Sequence, residues 1–281
     1  MVDAFKRRKI VNNIVLIFST FAAIFGILWL IWILGTLIYK GGSTLSWEVF
    51  VGNPPAPGDN TGGLKHAIIG QFLIVSIAVV IGVPIGILAG TFLSEYGKNS
   101  RLANIVRDIS DILMSVPSIV IGTFVYAILV EPFGHFMGIS GSVALAIMML
   151  PIIVRTTDDM LNMVPGELRE AAYALGATKS KVITSVVYKG AITGIITGVI
   201  LAVARIGGET APLLFTSFNN NFLTYNVFQP MASLTVTMYD YAMSPYQYWQ
   251  KLAWAAAIIL TFGVLALNLI GRAIAKWKFK K

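Results

Sequence analysis

Long uncharged apolar blocks, separated by short charged or polar segments, divide this sequence. The first block, residues 10–39, contains 30 residues without an acidic or basic side chain. About 20 apolar residues in an α-helix are enough to cross the hydrocarbon core of a bilayer. A cleavable signal peptide has a shorter apolar core of roughly 7–15 residues. The first block therefore predicts an uncleaved membrane-spanning helix, and its repetition along the chain predicts a polytopic membrane protein.

Six blocks of this kind predict an all-α fold with six transmembrane helices. The predicted spans are residues 10–39, 67–94, 112–130, 139–154, 190–216 and 252–271, and the third is expected to break near Pro117. Charged residues make up 12% of the chain, against about 25% in an average soluble domain, which leaves little room for a separate soluble domain. We expect three regions: an N-terminal transmembrane helix with an external loop (1–63), a transmembrane core (64–275) and a basic cytoplasmic tail (276–281).

The positive charges are distributed asymmetrically about these spans. If the basic N-terminus is cytoplasmic, 17 of the 21 lysines and arginines fall on the cytoplasmic side. Cytoplasmic segments of membrane proteins are enriched in Lys and Arg in this way. We therefore predict a multi-pass protein of the cell (inner) membrane with both termini in the cytoplasm. The net charge of +8 then reflects residues that flank lipid headgroups, not a nucleic-acid partner.

Two of the predicted spans carry a small residue at every fourth position. These positions are Gly82, Gly86 and Gly90 in the second span, and Gly190, Gly194, Gly198 and Ala202 in the fifth. Residues four apart share one face of a helix, and small residues there allow a neighbouring helix to approach closely in lipid. Both ribbons predict close helix packing.

A short charged and alanine-rich segment, residues 164–178, lies between the fourth and fifth blocks. Pro165 suits the first turn of a helix, and Gly176 is a natural C-terminal stop. Glu167 and Glu170 lie near the predicted N-terminus, where negative charge is stabilising. The segment predicts a helix of about three turns that is too short and too charged to span a bilayer. Such a helix, projecting from a membrane protein, favours contact with another protein.

A charged pair, Arg205 and Glu209, lies inside the fifth predicted span. Residues four apart are neighbours on a helix, and ionisable residues within a membrane are candidates for function. Two interpretations remain open: the pair neutralises itself and joins helices, or Arg205 meets an anion in a translocation path while Glu209 orients it. The flanking Gly207-Gly208 predicts a weakened or unwound helix at this point, which is tolerated where backbone lines a cavity.

Arg155 and Thr210 are further candidates for the same path. Arg155 follows the fourth span and is either a second anion contact or an anchor to lipid headgroups. Thr210 offers a hydroxyl group next to Glu209. The adjacent Asp158 and Asp159 are expected to form a solvated helix end.

The sequence contains no signature of hydrolytic, redox or metal chemistry. It has no cysteine, and its two histidines, His66 and His135, are far apart. There is no glycine-rich loop ending in Gly-Lys-Ser/Thr and no H-E-x-x-H motif. We therefore expect no catalytic residue, no metal and no cofactor on this chain.

Two motifs carry a resemblance to a known family. Glu170-Ala171-Ala172, followed after three residues by Gly176, is similar to the start of the EAA loop of ABC-importer permeases. The stretch from Ala204 to Thr216, which contains Arg205 and Glu209, resembles the fifth-helix signature of phosphate-specific permease subunits. From about residue 64 onward, the chain resembles the type I permease subunits of phosphate-specific ABC importers.

This resemblance implies a transport complex. Glu170, Ala171, Ala172 and Gly176 would form a cytoplasmic coupling helix that docks on the ATPase. The implied partners are two copies of an ATP-binding subunit, a second related permease, an extracytoplasmic phosphate-binding protein, phosphate and membrane lipid, with ATP used by the ATPase alone. A permease for another oxyanion, such as molybdate or sulfate, and an ion-coupled secondary transporter remain as alternatives.

Overall fold

The computed structural model describes residues 2–97 and 100–278, and these residues form helices joined by turns and loops, with no strand among them. The prediction of an all-α fold is confirmed. The helices are α1 (Val2–Gly42), α2 (Trp47–Val51), α3 (Lys65–Thr91), α4 (Arg101–Ser115), α5 (Ser118–Val125), α6 (Gly138–Asn162), α7 (Gly166–Ala174), α8 (Lys179–Val182), α9 (Tyr188–Ile206), α10 (Ala211–Leu214), α11 (Leu234–Ala242) and α12 (Gln247–Lys278). In the predicted basic tail, residues 279–281 lie outside the described part of the chain.

Three π-helical turns extend or join these helices. Phe92–Tyr96 continues α3, Tyr126–Val130 continues α5, and Ile183–Val187 joins α8 to α9. With these turns included, five helices of the described chain are long and apolar enough to cross a membrane. A sixth span is formed by α4 and α5 if that bent pair is counted as one. The structure therefore agrees with the predicted number of spans.

The break predicted near Pro117 in the third span is confirmed, whereas the predicted start of that span and the predicted bounds of the fifth span are wrong. The third span breaks before Ser118, and residues 112–115 belong to α4, which meets the α5 segment at 106°. Pro117 causes the break, since it confines Val116 to an extended conformation (φ −69°, ψ 131°). The fifth span runs from Lys179 to Ile206 and not from 190 to 216, because Gly207 and Gly208 end the helix.

Helix α6 lies between α3 and α9, and the two glycine ribbons form the contacts. A methyl group at Gly86 would lie 2.7 Å from Ile153 Cγ2, and Gly82 and Gly90 face Met149 and Thr157 in the same way. Along this contact the residue numbers rise together on both helices, so α3 and α6 run parallel. The absence of a side chain at these glycines therefore brings the two helices together, as the sequence predicts.

The second ribbon packs α9 against the other side of α6. A methyl group at Gly198 would lie 2.3 Å from Thr156 Cγ2. The remaining contacts of this ribbon pair Gly194 with Met160 and Gly190 with Val164. Along this contact the residue numbers rise on α9 while they fall on α6, so α9 is antiparallel to α6. The three helices form the centre of the molecule, and the largest buried apolar cluster lies among them.

Helix α4 is amphipathic and crosses the end of this three-helix centre. Its exposed apolar face comprises Leu102, Ile105, Ile109 and Ile112. On its other side Arg107 forms an ion pair with Asp158 of α6, with 2.8 Å between Nε and Oδ2. The side chain of Asp158 is only 4% exposed, so the prediction of a solvated end is wrong for Asp158. It holds for Asp159, whose side chain is 52% exposed.

Candidate substrate path and coupling helix

Arg205 and Glu209 lie where the membrane helix α9 ends. Arg205 is in the last turn of α9, and Gly207-Gly208 separates it from Glu209. The Gly208 N–H donates to the Arg205 carbonyl (3.2 Å), and the Glu209 N–H donates to the Ile206 carbonyl (3.3 Å). The chain therefore leaves the α-helix through tighter turns, as the two glycines predict, and the pair is held by this break.

The side chains of this pair form an ion pair that leaves the arginine accessible. Arg205 Nε lies 3.8 Å from Glu209 Oε1, which is longer than a hydrogen bond. The Arg205 side chain is 50% exposed, whereas that of Glu209 is 19% exposed. Glu209 thus contributes a nearby negative charge, and the guanidinium keeps a large open surface. A guanidinium in this position presents a fork of donors that suits a phosphate anion.

Gln71 of α3 joins the break to the start of α11. Its side-chain amide donates to the Gly207 carbonyl (3.1 Å), and its oxygen accepts from the Leu234 N–H (3.1 Å). The neighbouring Gly70 leaves no room for a methyl group, which would lie 2.0 Å from the Ala232 carbonyl oxygen. Sequence reasoning missed Gln71. The available signal was weak: it is the one amide side chain between residues 67 and 94.

A second hydrogen bond fixes the backbone next to Thr210. The Thr235 hydroxyl donates to the Glu209 carbonyl (2.9 Å). Thr210 itself is half-buried and precedes α10, where its carbonyl accepts from the Leu213 N–H (3.1 Å). Helix α10 packs on α5, where a methyl group at Gly122 would lie 2.6 Å from Pro212 Cα. Thr210 is therefore part of the same rigid turn as Glu209.

Arg155 belongs to a different group of charges. Its guanidinium lies 3.4 Å from Asp159 on α6 and 3.9 Å from Asp111 on α4. Its side chain is 43% exposed. The structure thus places Arg155 and Arg205 in separate ion pairs. These contacts indicate that Arg155 joins α4 to α6. Its role as an anion contact stays a prediction.

Helix α7 occupies the predicted segment between α6 and α9, with Pro165 at its N-terminal boundary. Gly176 has a φ of +79°, the left-handed conformation that favours glycine. The Gly176 N–H donates to the Tyr173 carbonyl (2.9 Å), and the Ala177 N–H donates to the Ala172 carbonyl (3.1 Å). These two bonds form a Schellman motif, which ends a helix sharply.

Most of α7 is exposed. Glu170, Ala171 and Gly176 are exposed, and Ala172 is half-buried against the apolar cluster that contains Val164. Apolar side chains project from the same segment: Met163, Leu168, Tyr173 and Leu175 are 73%, 51%, 44% and 89% exposed. A short, capped helix with exposed apolar side chains has the properties of a protein-docking element.

Comparison with known proteins identifies the family. Residues 82–280 match the family described as the inner membrane component of binding-protein-dependent transport systems. The chain is 50% identical over 276 residues to the phosphate transport system permease protein PstA of Pasteurella multocida, with 98% of each chain covered. It is 51% identical over 271 residues to PstA of Haemophilus influenzae, with 96% of each covered.

The chain belongs to the PstA family.

Solved structures with a similar fold are ABC transporters. An inward-facing conformation of the MetNI methionine ABC transporter matches with a TM-score of 0.60 and 20% identity, over 76% of this chain and 93% of that one. A bacterial alginate ABC transporter in complex with an alginate-bound periplasmic protein matches with a TM-score of 0.67 and 13% identity, over 94% of this chain and 96% of that one. At these identities the likeness concerns the fold, and it confirms the predicted permease architecture.

Membership of the PstA family also settles the class of protein. Its members are permease proteins, in agreement with the prediction of a multi-pass transmembrane component that is not itself an enzyme. The PstA family further implies a complex that contains a substrate-binding protein and an ATPase. Within the described residues, the Arg205–Glu209 pair and α7 stay the predicted sites of substrate contact and of docking.

Proposed function

We propose that this chain is the transmembrane permease subunit of an ATP-driven importer that moves inorganic phosphate into the cell by alternating access. The observation that carries the proposal is the near-full-length similarity to PstA, combined with a capped, exposed helix α7 where a coupling helix is expected. The complex contains two copies of an ATP-binding subunit, a second related permease and an extracytoplasmic phosphate-binding protein. This chain binds no cofactor, and ATP is hydrolysed by the partner subunits.

The charge distribution supports a cytoplasmic position for α7 and for both termini in the cell (inner) membrane. The cations near the N-terminus, around α4 and around α7 lie on the side that the positive-inside rule assigns to the cytoplasm. In this orientation α2, α10 and α11 face outward, toward the binding protein. Helix α7, through Glu170, Ala171, Ala172 and Gly176, contacts the ATPase.

The substrate path runs past the break in α9. Arg205 meets phosphate there, Glu209 limits the free motion of its guanidinium, and Thr210 adds a hydroxyl group on the same turn. The support is the half-exposed guanidinium at the end of a membrane helix, held beside a less exposed carboxylate. Arg155, on the cytoplasmic side of this level, forms a second contact for the anion as it leaves.

A reconstitution experiment tests the proposal. The complete complex is placed in proteoliposomes with the binding protein outside and ATP inside, and uptake of radiolabelled phosphate is measured. We expect uptake to require luminal ATP and to be lost when the ATPase carries a substitution of its catalytic glutamate. Uptake that continues without ATP, and stops when a protonophore is added, would instead identify an ion-coupled transporter. Uptake of sulfate or molybdate in preference to phosphate would identify a different oxyanion.

A further inference from the structure

A buried ion pair joins the coupling helix to the end of a membrane helix. Arg169 of α7 lies 2.9 Å from Glu95, in the π-helical turn that continues α3. The two side chains are 12% and 6% exposed. The Arg169 guanidinium also donates to the carbonyls of Leu161 (2.8 Å) and Val164, which lie at and just beyond the end of α6. One side chain therefore links α3, α6 and α7.

The rest of α7 has few contacts with the membrane helices. In its described residues, Arg169 and Ala172 are half-buried and the others are exposed. Ala172 contributes a single methyl group to the apolar cluster beneath it. Arg169 consequently forms the polar connection through which a displacement of α7 reaches α3. A planar guanidinium that fills several acceptors at once holds its orientation more firmly than an ammonium group would.

The turn that holds Glu95 is itself a junction of several elements. The Leu93 carbonyl accepts from Arg107 of α4 (3.0 Å), and the Ser94 hydroxyl donates to Asn162 of α6 (3.1 Å). In the chain after α7, the Lys179 Nζ lies over the ring of Tyr96, 4.0 Å from the ring centre. Glu95 is thus fixed within a turn that contacts α4, α6 and the chain that follows α7.

We propose that Arg169 and Glu95 are positioning residues that transmit the movement of α7 to α3, so that hydrolysis by the ATPase is converted into reorientation of the spans. This inference rests on the proposed function of the chain. The pair lies on the α7 side of the protein, whereas Arg205 and Glu209 lie at the opposite end of α9. Its role is to connect two elements, and it does not touch the substrate.

Neutralising either member tests the proposal. In the reconstituted complex, Glu95→Gln and Arg169→Gln should lower the number of phosphate ions transported per ATP hydrolysed by about tenfold. A change of this size lies within the range that typical coupling free energies between two sites produce. Arg169→Lys keeps the positive charge but loses the planar set of guanidinium donors, so its ratio of phosphate to ATP should lie between those of the wild type and Arg169→Gln. Glu131→Gln and Arg101→Gln neutralise exposed residues elsewhere and serve as matched controls. An unchanged ratio in both Gln variants would overturn the proposal.

A cysteine pair separates mechanical connection from simple structural support. The native chain has no cysteine, so E95C/R169C introduces a unique pair when the partner chains are also cysteine-free. Modification with a short bifunctional thiosulfonate should restore the ratio of phosphate to ATP, whereas the matching monofunctional reagent should not. If the bridge abolishes uptake while ATP hydrolysis continues, the pair must open during the cycle and the proposal is wrong.

The wild-type complex in the same vesicles distinguishes this inference from the proposed function. ATP-dependent phosphate uptake by the wild type establishes the function, and the ratio in the variants then tests the ion pair alone. Should the Gln variants fail to assemble, the bridged cysteine pair still decides the outcome, since a complex that assembles only with the bridge and transports at the wild-type ratio supports the connection. A bridged complex that assembles but remains uncoupled refutes it.

Discussion

Arg205 combines an exposed guanidinium with a position at the end of a membrane helix. Arginine at the centre of a bilayer costs roughly 2.5–3.5 kcal/mol on insertion scales, and in the last turn of a helix a partner or access to the interface reduces that cost. Glu209 is the partner, yet the 3.8 Å separation leaves the donors of Arg205 unfilled from that side. A pair that served only to neutralise charge would be expected to bond more closely.

We predict that Arg205→Gln reduces phosphate uptake by about tenfold or more, because a charge-assisted hydrogen bond is worth roughly 1.5–3 kcal/mol. Uptake in proteoliposomes is the measurement, with complex assembly checked on the same preparation. Arg272→Gln, at an exposed position on α12, is the control and should keep wild-type uptake. Recovery of transport in R205Q/E209Q would show that the pair is a structural neutralisation and not an anion site.

Single residues differ in how far the sequence could predict their contacts. Arg205 and Glu209 are four positions apart, so helical geometry predicts that they are neighbours, and the tighter turns after Ile206 keep them 3.8 Å apart although the α-helix ends between them. Arg169 and Glu95 are 74 positions apart, and their contact depends on the packing of α3 against α6. Asp158 illustrates the same limit, since its burial depends on Arg107, which is 51 positions away.

Helix α7 shows how a short element can be predicted with its ends. Proline, acidic residues and glycine mark the boundaries locally, and the observed helix, Gly166–Ala174, lies within the predicted segment. The longer helices were harder to bound. Helix α6 continues past Arg155 to Asn162 because Asp158 and Asn162 find partners on neighbouring elements, which hydropathy along the sequence does not reveal.

Substitution of Gly176 should disturb the orientation of α7 without disturbing membrane insertion. A methyl group at Gly176 would meet no atom within 4 Å, so the cost arises from its φ of +79° alone. A left-handed backbone costs an ordinary residue about 1–2 kcal/mol, and asparagine or aspartate less. We therefore expect phosphate uptake to be highest in the wild type, lower in Gly176→Asn and lowest in Gly176→Val. Gly176→Asp should in addition place an unfavourable charge at the ATPase.

Gly134 offers a matched control for this series. It also has a positive φ (+73°) and open space around it, but it lies in the turn between α5 and α6. Gly134→Val should therefore impose the same local strain and leave coupling intact. Equal losses of uptake at both positions would show that the strain acts on stability and not on α7.

The molecule as a whole has two different ends. One carries α7 and the ends of α3 and α6, and the other carries α2, α10 and α11. The number of spans and the asymmetry of charge were predictable because both depend on composition along the chain. The order in which the helices pack, with α6 between α3 and α9, depends on contacts between distant segments and came from the structure.

Thiol labelling of intact cells tests the orientation. Because the native chain has no cysteine, single cysteines report without background. A membrane-impermeant maleimide should label Ser43→Cys and Asp59→Cys from outside, and should label Leu175→Cys on α7 only after permeabilisation. Labelling of Leu175→Cys in intact cells would place α7 outside and contradict both its coupling role and the proposed importer.

The two glycine ribbons constrain how such a protein changes shape. Met149, Ile153 and Thr157 each occupy the recess left by a glycine on α3, and Thr156, Met160 and Val164 do so on α9. A slide of less than one helical turn, about 5.4 Å, would drive these side chains onto the backbone between the recesses. These contacts therefore fix the position of α6 along the axes of α3 and α9. Bending must then concentrate at the interruptions before Ser118 and after Ile206.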